Sequence, residues 1–396
     1  MLIAGFIFAG MRHHSYLNSA KTIIGIYDGG EPLSAFLKKY FAANKKYGSK
    51  DRKQIAALCY DFYRLGKAMP GASVEERILT GTFLCEQLPG DFLNFHKPEW
   101  NKLIAKLPGK RALAVDFEVK EIFPWQDELS DEIDLPSFCL SFLQQPDLFL
   151  RVRPGNKNAV LNKLQKAGLT FEFQNENCVA LPNAVKLDEL LHIDKEVVVQ
   201  DRNSQHVLDF LKNEKRPDVP VKVWDCCAAS GGKSILAYDI LEGEMQLAVS
   251  DIRESILANL KKRFSVAGIK NYKSFISDLA KPNQDLAIDN FQLIICDAPC
   301  TGSGTWSRTP EQLYYFSPEM IDEYSARQRA IVSNVIPHLQ QNGQFIYITC
   351  SVFKKENEEI VNFVKEKFHL QLLQMELLKG YDKKADSMFA AVFTKR

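Results

Sequence analysis

The sequence predicts a doubly wound α/β domain with a mostly parallel sheet, preceded by an all-α domain and a small α/β module. Three observations predict it. Helical periodicity fills roughly the first 140 residues, and short strands flanking one helix follow up to about residue 200. Beyond Asp201, five apolar strand candidates are separated by helical stretches, the rhythm of βαβ units. The expected domain limits are therefore 1–140, 141–200 and 201–396, the last long enough to fold alone.

Along the chain, Leu2 to Ala9 is apolar with no basic residue ahead of it, a poor signal peptide that reads as a short leader or an upstream start. Ser49 is the expected cap of a helix in which Ile55, Leu58, Cys59, Phe62 and Leu65 recur at helical spacing. Ser73 with Glu76 forms a capping box ahead of Ile78, Phe83 and Leu84. Strands are expected at 148–153, 170–173, 178–181 and 196–200, with a helix over 158–167 closed by Gly168. The strands of the last domain fall at 221–224, 246–250, 273–276, 291–296 and 344–348. Ile256, Leu257, Leu260, Phe264 and Ala267 make the apolar stripe of one intervening helix, and Ser317 with Pro318 opens another that runs towards Pro337.

Composition narrows the function classes. With 46% hydrophobic and 25% charged residues the chain is an ordinary folded protein, neither disordered nor collagen-like, and no apolar stretch is long enough to span a bilayer, so no membrane role is expected. Nine scattered cysteines without C-x-x-C spacing predict reduced thiols, a cytoplasmic location and no metal site. The net charge of +1 conceals a division: up to Lys67 there are eleven Lys or Arg against four Asp or Glu, and from Ala68 to Leu150 seven against fourteen. Lys45, Lys46, Lys50, Arg52, Lys53, Arg64 and Lys67 are interleaved with Tyr40, Phe41, Tyr47, Tyr60 and Tyr63. That pattern fits a phosphate-tracking face with stacking platforms, and equally the solvated faces of helices whose aromatics turn inward.

Four segments at the ends of the predicted strands carry the chemistry, because ligands of open α/β sheets bind at that edge. The first is DCCAASGGKS, 225–234, whose small residues and glycines let backbone approach a ligand. It is not a P-loop, since G-x-x-x-x-G-K-S requires glycine where Cys227 stands. Asp251 and Asp278 close successive strands, where a carboxylate either accepts hydrogen bonds from ribose hydroxyls or caps a turn. The fourth is DAPCTGSGTWSR, 297–308, followed after one more strand by YITCSVFKKENEE, 347–359. Two cysteines thus sit just past neighbouring strands, one beside an aspartate. A zinc deaminase is excluded because P-C-x-x-C would need cysteine at 303, which is serine.

In this order the set resembles the RsmB/Sun family of S-adenosylmethionine-dependent RNA 5-methylcytosine methyltransferases. The segment VVVQDRNSQHVLDFL resembles the family's lead into its catalytic domain, LFLRVRPGNKNAVLNKLQKAG its small RNA-binding-type module, and GSKDRKQIAALCYDFYRLGK a NusB-like helix. The resemblance implies a class I, Rossmann-like methyltransferase domain, S-adenosyl-L-methionine as cofactor and a monomer. It implies RNA as partner, ribosomal RNA ahead of transfer RNA. It implies Cys350 as nucleophile, Asp297 holding the pyrimidine edge, Cys300 aiding product release and Lys233 near the base. The cofactor would lie on Cys227, Ala228, Ala229, Ser230, Gly231, Gly232 and Lys233, with Asp251 on the ribose, Asp278 near the adenine, and Arg253 and Asp297 among its other contacts. Attack by Cys300 is the alternative assignment. A small-molecule methyltransferase and a non-catalytic ribosome-assembly factor are the other classes in view. The sequence departs from the family pattern at Ser230, usually proline, with a looser cofactor turn expected, and at Ser307, where arginine is frequent.

Overall fold

The computed structural model describes residues 2–183, 185–213, 219–281 and 290–396. Its first helices, α1 (Leu2–Ile26), α2 (Leu33–Ala43), α3 (Ser49–Arg64) and α4 (Val74–Cys85), form the predicted helical region. The run Leu2 to Ala9 is the beginning of α1. Leu17, Ala20, Ile23, Leu37, Phe41, Ile55, Leu58, Phe62 and Ile78 meet in one core, so the periodicity marks the buried faces. Ser73 and Glu76 exchange the hydrogen bonds of the capping box. Ser49 is not the cap of α3. Gly48 holds that position in extended conformation, and its N–H donates to the Asp51 carboxylate at 2.9 Å, so an acid of the first turn satisfies it.

The basic stretch divides between the two readings. Phe41, Tyr47 and Tyr63 are buried, and Arg64, 4% exposed, donates to the carbonyls of Phe142, Gln144 and Ser307. Lys67 donates to the Tyr314 carbonyl at 2.6 Å. Lys67 is half-buried and the others are core groups, while Lys45, Lys46, Lys50 and Lys53 are exposed.

Strands β1 (Leu148–Val152), β2 (Glu172–Phe173), β3 (Cys178–Leu181) and β4 (Val197–Val199) make an antiparallel sheet in the order β2-β3-β1-β4, with the helix Lys157–Lys166 against it. A second sheet contains β5 (Val221–Asp225), β6 (Met245–Asp251), β7 (Tyr272–Ile276), β8 (Phe291–Asp297), β9 (Leu339–Thr349), β10 (Gln371–Leu378) and β11 (Met388–Thr394). Its order is β10-β11-β9-β8-β5-β6-β7, parallel from β9 to β7 and antiparallel at β11 and β10. Five strands fall where sequence places them; the last two are additions, and they pair as a hairpin that covers the free edge of β9. Strand order reverses between β5 and β8, the switch point at which such sheets open a crevice.

The chain forms two compact units. A helical unit comprises Met1–Asp127, Asp134–Gln145 and Trp306–Ser317; the other comprises Glu128–Ile133, Pro146–Thr305 and Pro318–Arg396. Buried side chains explain the division. Trp306 lies against Phe123 and Phe316 within the helical unit. In the other, Arg151 of β1 and Arg153 just beyond it both pair with Asp239 on the helix Gly232–Ile240, at 2.5 and 2.7 Å and nearly out of solvent. Among the described residues no helix is long and apolar enough to cross a membrane.

Candidate active site

β5 ends at Asp225, whose carboxylate accepts from Ser234 Oγ at 2.6 Å and so ties the strand to the helix it feeds. Between them the backbone enters the left-handed region at Ala229 (φ 46°) and Gly231 (φ 85°). A Cβ on Gly231 would stand 2.6 Å from the Phe264 ring, so glycine is required there both for conformation and for packing. The turn is not loosened at Ser230. Arg263 Nη1 donates to its carbonyl at 2.8 Å and to its hydroxyl at 2.9 Å, while the same guanidinium pairs with Asp194. A hydrogen-bonded anchor thus stands where proline would stiffen the chain.

Beside this turn, at the carboxyl ends of β5, β6, β7 and β8, lies a cavity of about 490 Å³. Cys227, Ala229, Asp251, Arg253, Asp278, Asp297 and Cys300 line it. Asp251 accepts from Ala229 N–H at 3.0 Å and from the N–H and Nε of Arg253 at 2.9 and 3.1 Å. It is buried, whereas the Arg253 side chain is 58% exposed. Asp278 closes a turn by accepting from Ala280 N–H at 3.2 Å, the turn role foreseen as its alternative, and faces the cavity as well. Ala228 is buried, its N–H given to Ser250 O. Gly232 begins the helix that carries Lys233.

Lys233 Nζ stands 2.6 Å from Asp297 Oδ2. Burial works against the ammonium, but the charge and hydrogen bond of Asp297 outweigh it, with a further contribution from Cys350, and its pKa is raised. Cys300 and Cys350, fifty positions apart, meet with their sulfurs 3.4 Å from each other. The bond with Cys350, joined by burial, pushes the Cys300 thiol well above its usual range, so Cys300 keeps its proton.

Several residues outside the sequence-based set hold these loops together. Buried Glu356 accepts from Thr301 N–H at 2.9 Å, Thr301 Oγ1 at 2.5 Å, Ser351 Oγ at 2.7 Å and Gln328 Nε2 at 3.0 Å. One carboxylate thereby clamps the residue after Cys300 to the residue after Cys350. Asn357 accepts from Thr349 Oγ1 and donates to Ser351 O. The available signal was the polar run ENE, which begins seven positions beyond the end of β9. Tyr324 and Arg327, which also line the cavity, project from the helix Glu319–Val335 with no sequence feature to separate them from its solvent face.

Under the cavity a further thiol cluster appears: Cys226, Cys227 and Cys296 have their sulfurs within 4.8 Å of one another. Parallel pairing of β5 with β8 brings them together, Cys226 N–H donating to Ile295 O.

A parallel sheet with its cavity at the switch point, a glycine turn after its first strand and carboxylates on the strands that follow define a Rossmann-like methyltransferase domain of class I. Residues 207–391 match the family model "16S rRNA methyltransferase RsmB/F". Ribosomal RNA small subunit methyltransferase B of Proteus mirabilis is 29% identical over 226 residues, 54% of this chain and 51% of that protein. The chain spans about half the length of the curated relatives it matches. The crystal structure of PH0851 shares the fold over 98% of both chains, with a TM-score of 0.70 at 18% identity. NSun6 from Pyrococcus horikoshii, solved with SFG, does so over 70% of this chain and 97% of its own, with a TM-score of 0.58 at 16% identity.

Proposed function

We propose that the chain transfers a methyl group from S-adenosylmethionine to carbon 5 of a cytosine in RNA, with ribosomal RNA as the substrate class, through a covalent bond from Cys350 to carbon 6. The observation that carries this reading is the pair of thiols 3.4 Å apart, with Cys300 of that pair and Asp297, ion-paired with Lys233, both lining the cavity. Methyl transfer to a more nucleophilic atom needs no such pair.

The residues present fit the cofactor: close-approaching backbone from Cys227 to Gly232, the Asp251 carboxylate, and Ile252, Leu279 and Ile331 as apolar walls. When bound, it supplies a methyl group activated on a sulfonium. Asp251 suits two ribose hydroxyls, which would take the place of the exposed Arg253 side chain. Cys350 as thiolate adds to carbon 6, and the ring electrons shift so that carbon 5 becomes nucleophilic while Asp297 holds the pyrimidine edge. The Lys233 ammonium, ion-paired with Asp297 at 2.6 Å, steadies that carboxylate for this role. After methylation a base removes the carbon 5 proton, the S–C6 bond breaks and the ring double bond returns. Cys300, 3.4 Å from Cys350 and with its proton retained, would give that proton to the departing Cys350 sulfur, while the carbon 5 proton passes to a separate base. The division at about 140 and 200 into NusB-like, RNA-binding-type and catalytic parts belongs to the same reading.

The test is where each variant stops. Cys350→Ala should bind RNA and cofactor but give neither 5-methylcytosine nor a covalent complex. Cys300→Ala should accumulate a denaturant-resistant protein–RNA band that requires cofactor. A band with Cys350→Ala and none with Cys300→Ala would reverse the two roles, and full activity of both would remove the cysteine mechanism. Methylation mapping of RNA from a deletion strain separates ribosomal from transfer RNA.

A further inference from the structure

Cys226 and Cys296 have no part in the chemistry above, yet with Cys227 they form the densest thiol cluster among the described residues. Their three sulfurs lie within 4.8 Å of one another. Three thiolates at about 2.3 Å from one zinc stand about 4 Å apart, so sulfurs already within 4.8 Å of one another have to close by less than about 1 Å to hold the ion. The arrangement rests on rigid elements, with Cys226 and Cys296 at the ends of adjacent parallel strands and both wholly buried. Cys227 is only partly buried and, with Cys226, lines the 490 Å³ cavity, so an ion has access from that side.

The surroundings are those of a cation site. Asp225 and Asp297 both act electrostatically on the cluster. Asp225 Oδ1 is buried with no hydrogen-bond partner, an acceptor adjoining the thiols that the described residues leave unsatisfied. Two carboxylates beside three sulfurs favour a divalent ion, and soft sulfur ligands select a thiophilic d10 metal over magnesium or calcium.

We propose that Cys226, Cys227 and Cys296 form a three-thiolate site for a thiophilic d10 cation, with zinc as its representative, in the floor of the cavity. On binding, the ion replaces the thiol protons, which pass to solvent, and three metal–sulfur bonds form without any change of oxidation state. This assignment does not depend on the methyltransferase reading.

The experiment uses the full chain, stripped of metal and kept reduced with a phosphine, and titrates zinc against a chromophoric chelator. One zinc per chain is expected. Cys226→Ala and Cys296→Ala should each weaken uptake by about tenfold or more, the range seen when metal sites lose supporting groups, while Cys300→Ala and Cys350→Ala should leave it unchanged. Cadmium added to the unsubstituted chain should give a thiolate charge-transfer band of three-sulfur intensity, a measurement that needs no variant to fold. Absence of zinc uptake, a band of fewer than three sulfurs, or uptake that follows Cys300 and Cys350 would overturn the proposal and leave the three cysteines as small apolar fillers of the core.

Discussion

Asp61, in the last turn of α3, is buried with one carboxylate oxygen unpartnered. Burial raises its pKa to about 7, the charge of Glu86 adding to the effect, while Arg64 and a hydrogen bond with Thr82 oppose it. A carboxyl raised in the folded state contributes stability that is complete below its unfolded pKa near 4 and is lost as pH climbs through 7. The melting temperature of the unmodified chain should therefore fall between pH 5 and pH 8 relative to that of Asp61→Asn, which keeps a partner for Thr82 and has no charge to bury. At pH 8 the variant should be the more stable by more than about 1.4 kcal/mol, the equivalent of one pKa unit. Parallel melting curves against pH would show that Asp61 is ionised at no cost. No feature of the segment around Asp61 announces this, since an acid near a helix end reads as an ordinary surface residue and only packing of α3 against α4 removes its water.

At the scale of elements, the segment from β8 into Trp306 shows how backbone, more than side chains, fixes the thiols. Gly304 N–H donates to Cys350 O at 2.9 Å, and Gly304 O accepts from Ser387 N–H at 2.9 Å. A Cβ at this position would fall 2.2 Å from Ser387 O and 3.0 Å from Cys350 O, both rigid backbone atoms. Gly304→Ala must therefore push the Cys300 and Cys350 loops apart. A misplacement of about 1 Å can cost about 100-fold in rate, so methyl transfer should fall by that order while cofactor affinity, set at the 226–232 turn, stays within about twofold. Paired single-turnover and calorimetric measurements decide it, and an unchanged transfer rate would mean the loops accommodate the methyl group. The capping box at Ser73 was legible because both partners lie within four residues. The cap at Gly48 was not, because the choice between Ser49 and its neighbour depends on where Asp51 turns.

For the whole molecule, the interleaved units bear on how the chain can be cut. Residues 201–396 have the length of a domain, but alone they would leave Asp239 without Arg151 and Arg153 and would strip Trp306 of its partner Phe123. A lone buried carboxylate and an exposed indole are both costly. The fragment should lack a cooperative thermal transition by circular dichroism, which the full chain shows; a sharp transition would restore the simpler division. The exposed lysines give a second expectation. Replacing Lys45, Lys46, Lys50 and Lys53 with alanine should weaken RNA binding and reduce its logarithmic salt slope by about 0.7 to 0.9 for each phosphate that is no longer neutralised. An unchanged slope would make them solvating charges only.

By itself the sequence determined the parallel sheet and the strand-end motifs, because side-chain periodicity and turn chemistry act over a few residues and are written locally. It placed Cys300, Cys350, Asp297, Lys233 and Asp251 at one edge of the sheet, since strand ends in a parallel sheet share a side. Tertiary structure alone decided which side chains touch. It set the 3.4 Å between two thiols fifty positions apart, the clamp at Glu356, the anchoring of Ser230 by Arg263, and the gathering of Cys226, Cys227 and Cys296. It also drew residues 306–317 into the helical unit and turned Arg64 and Tyr63 inward. Those outcomes depend on distances between segments remote in the chain, which the order of the residues leaves open until strand pairing and burial fix them.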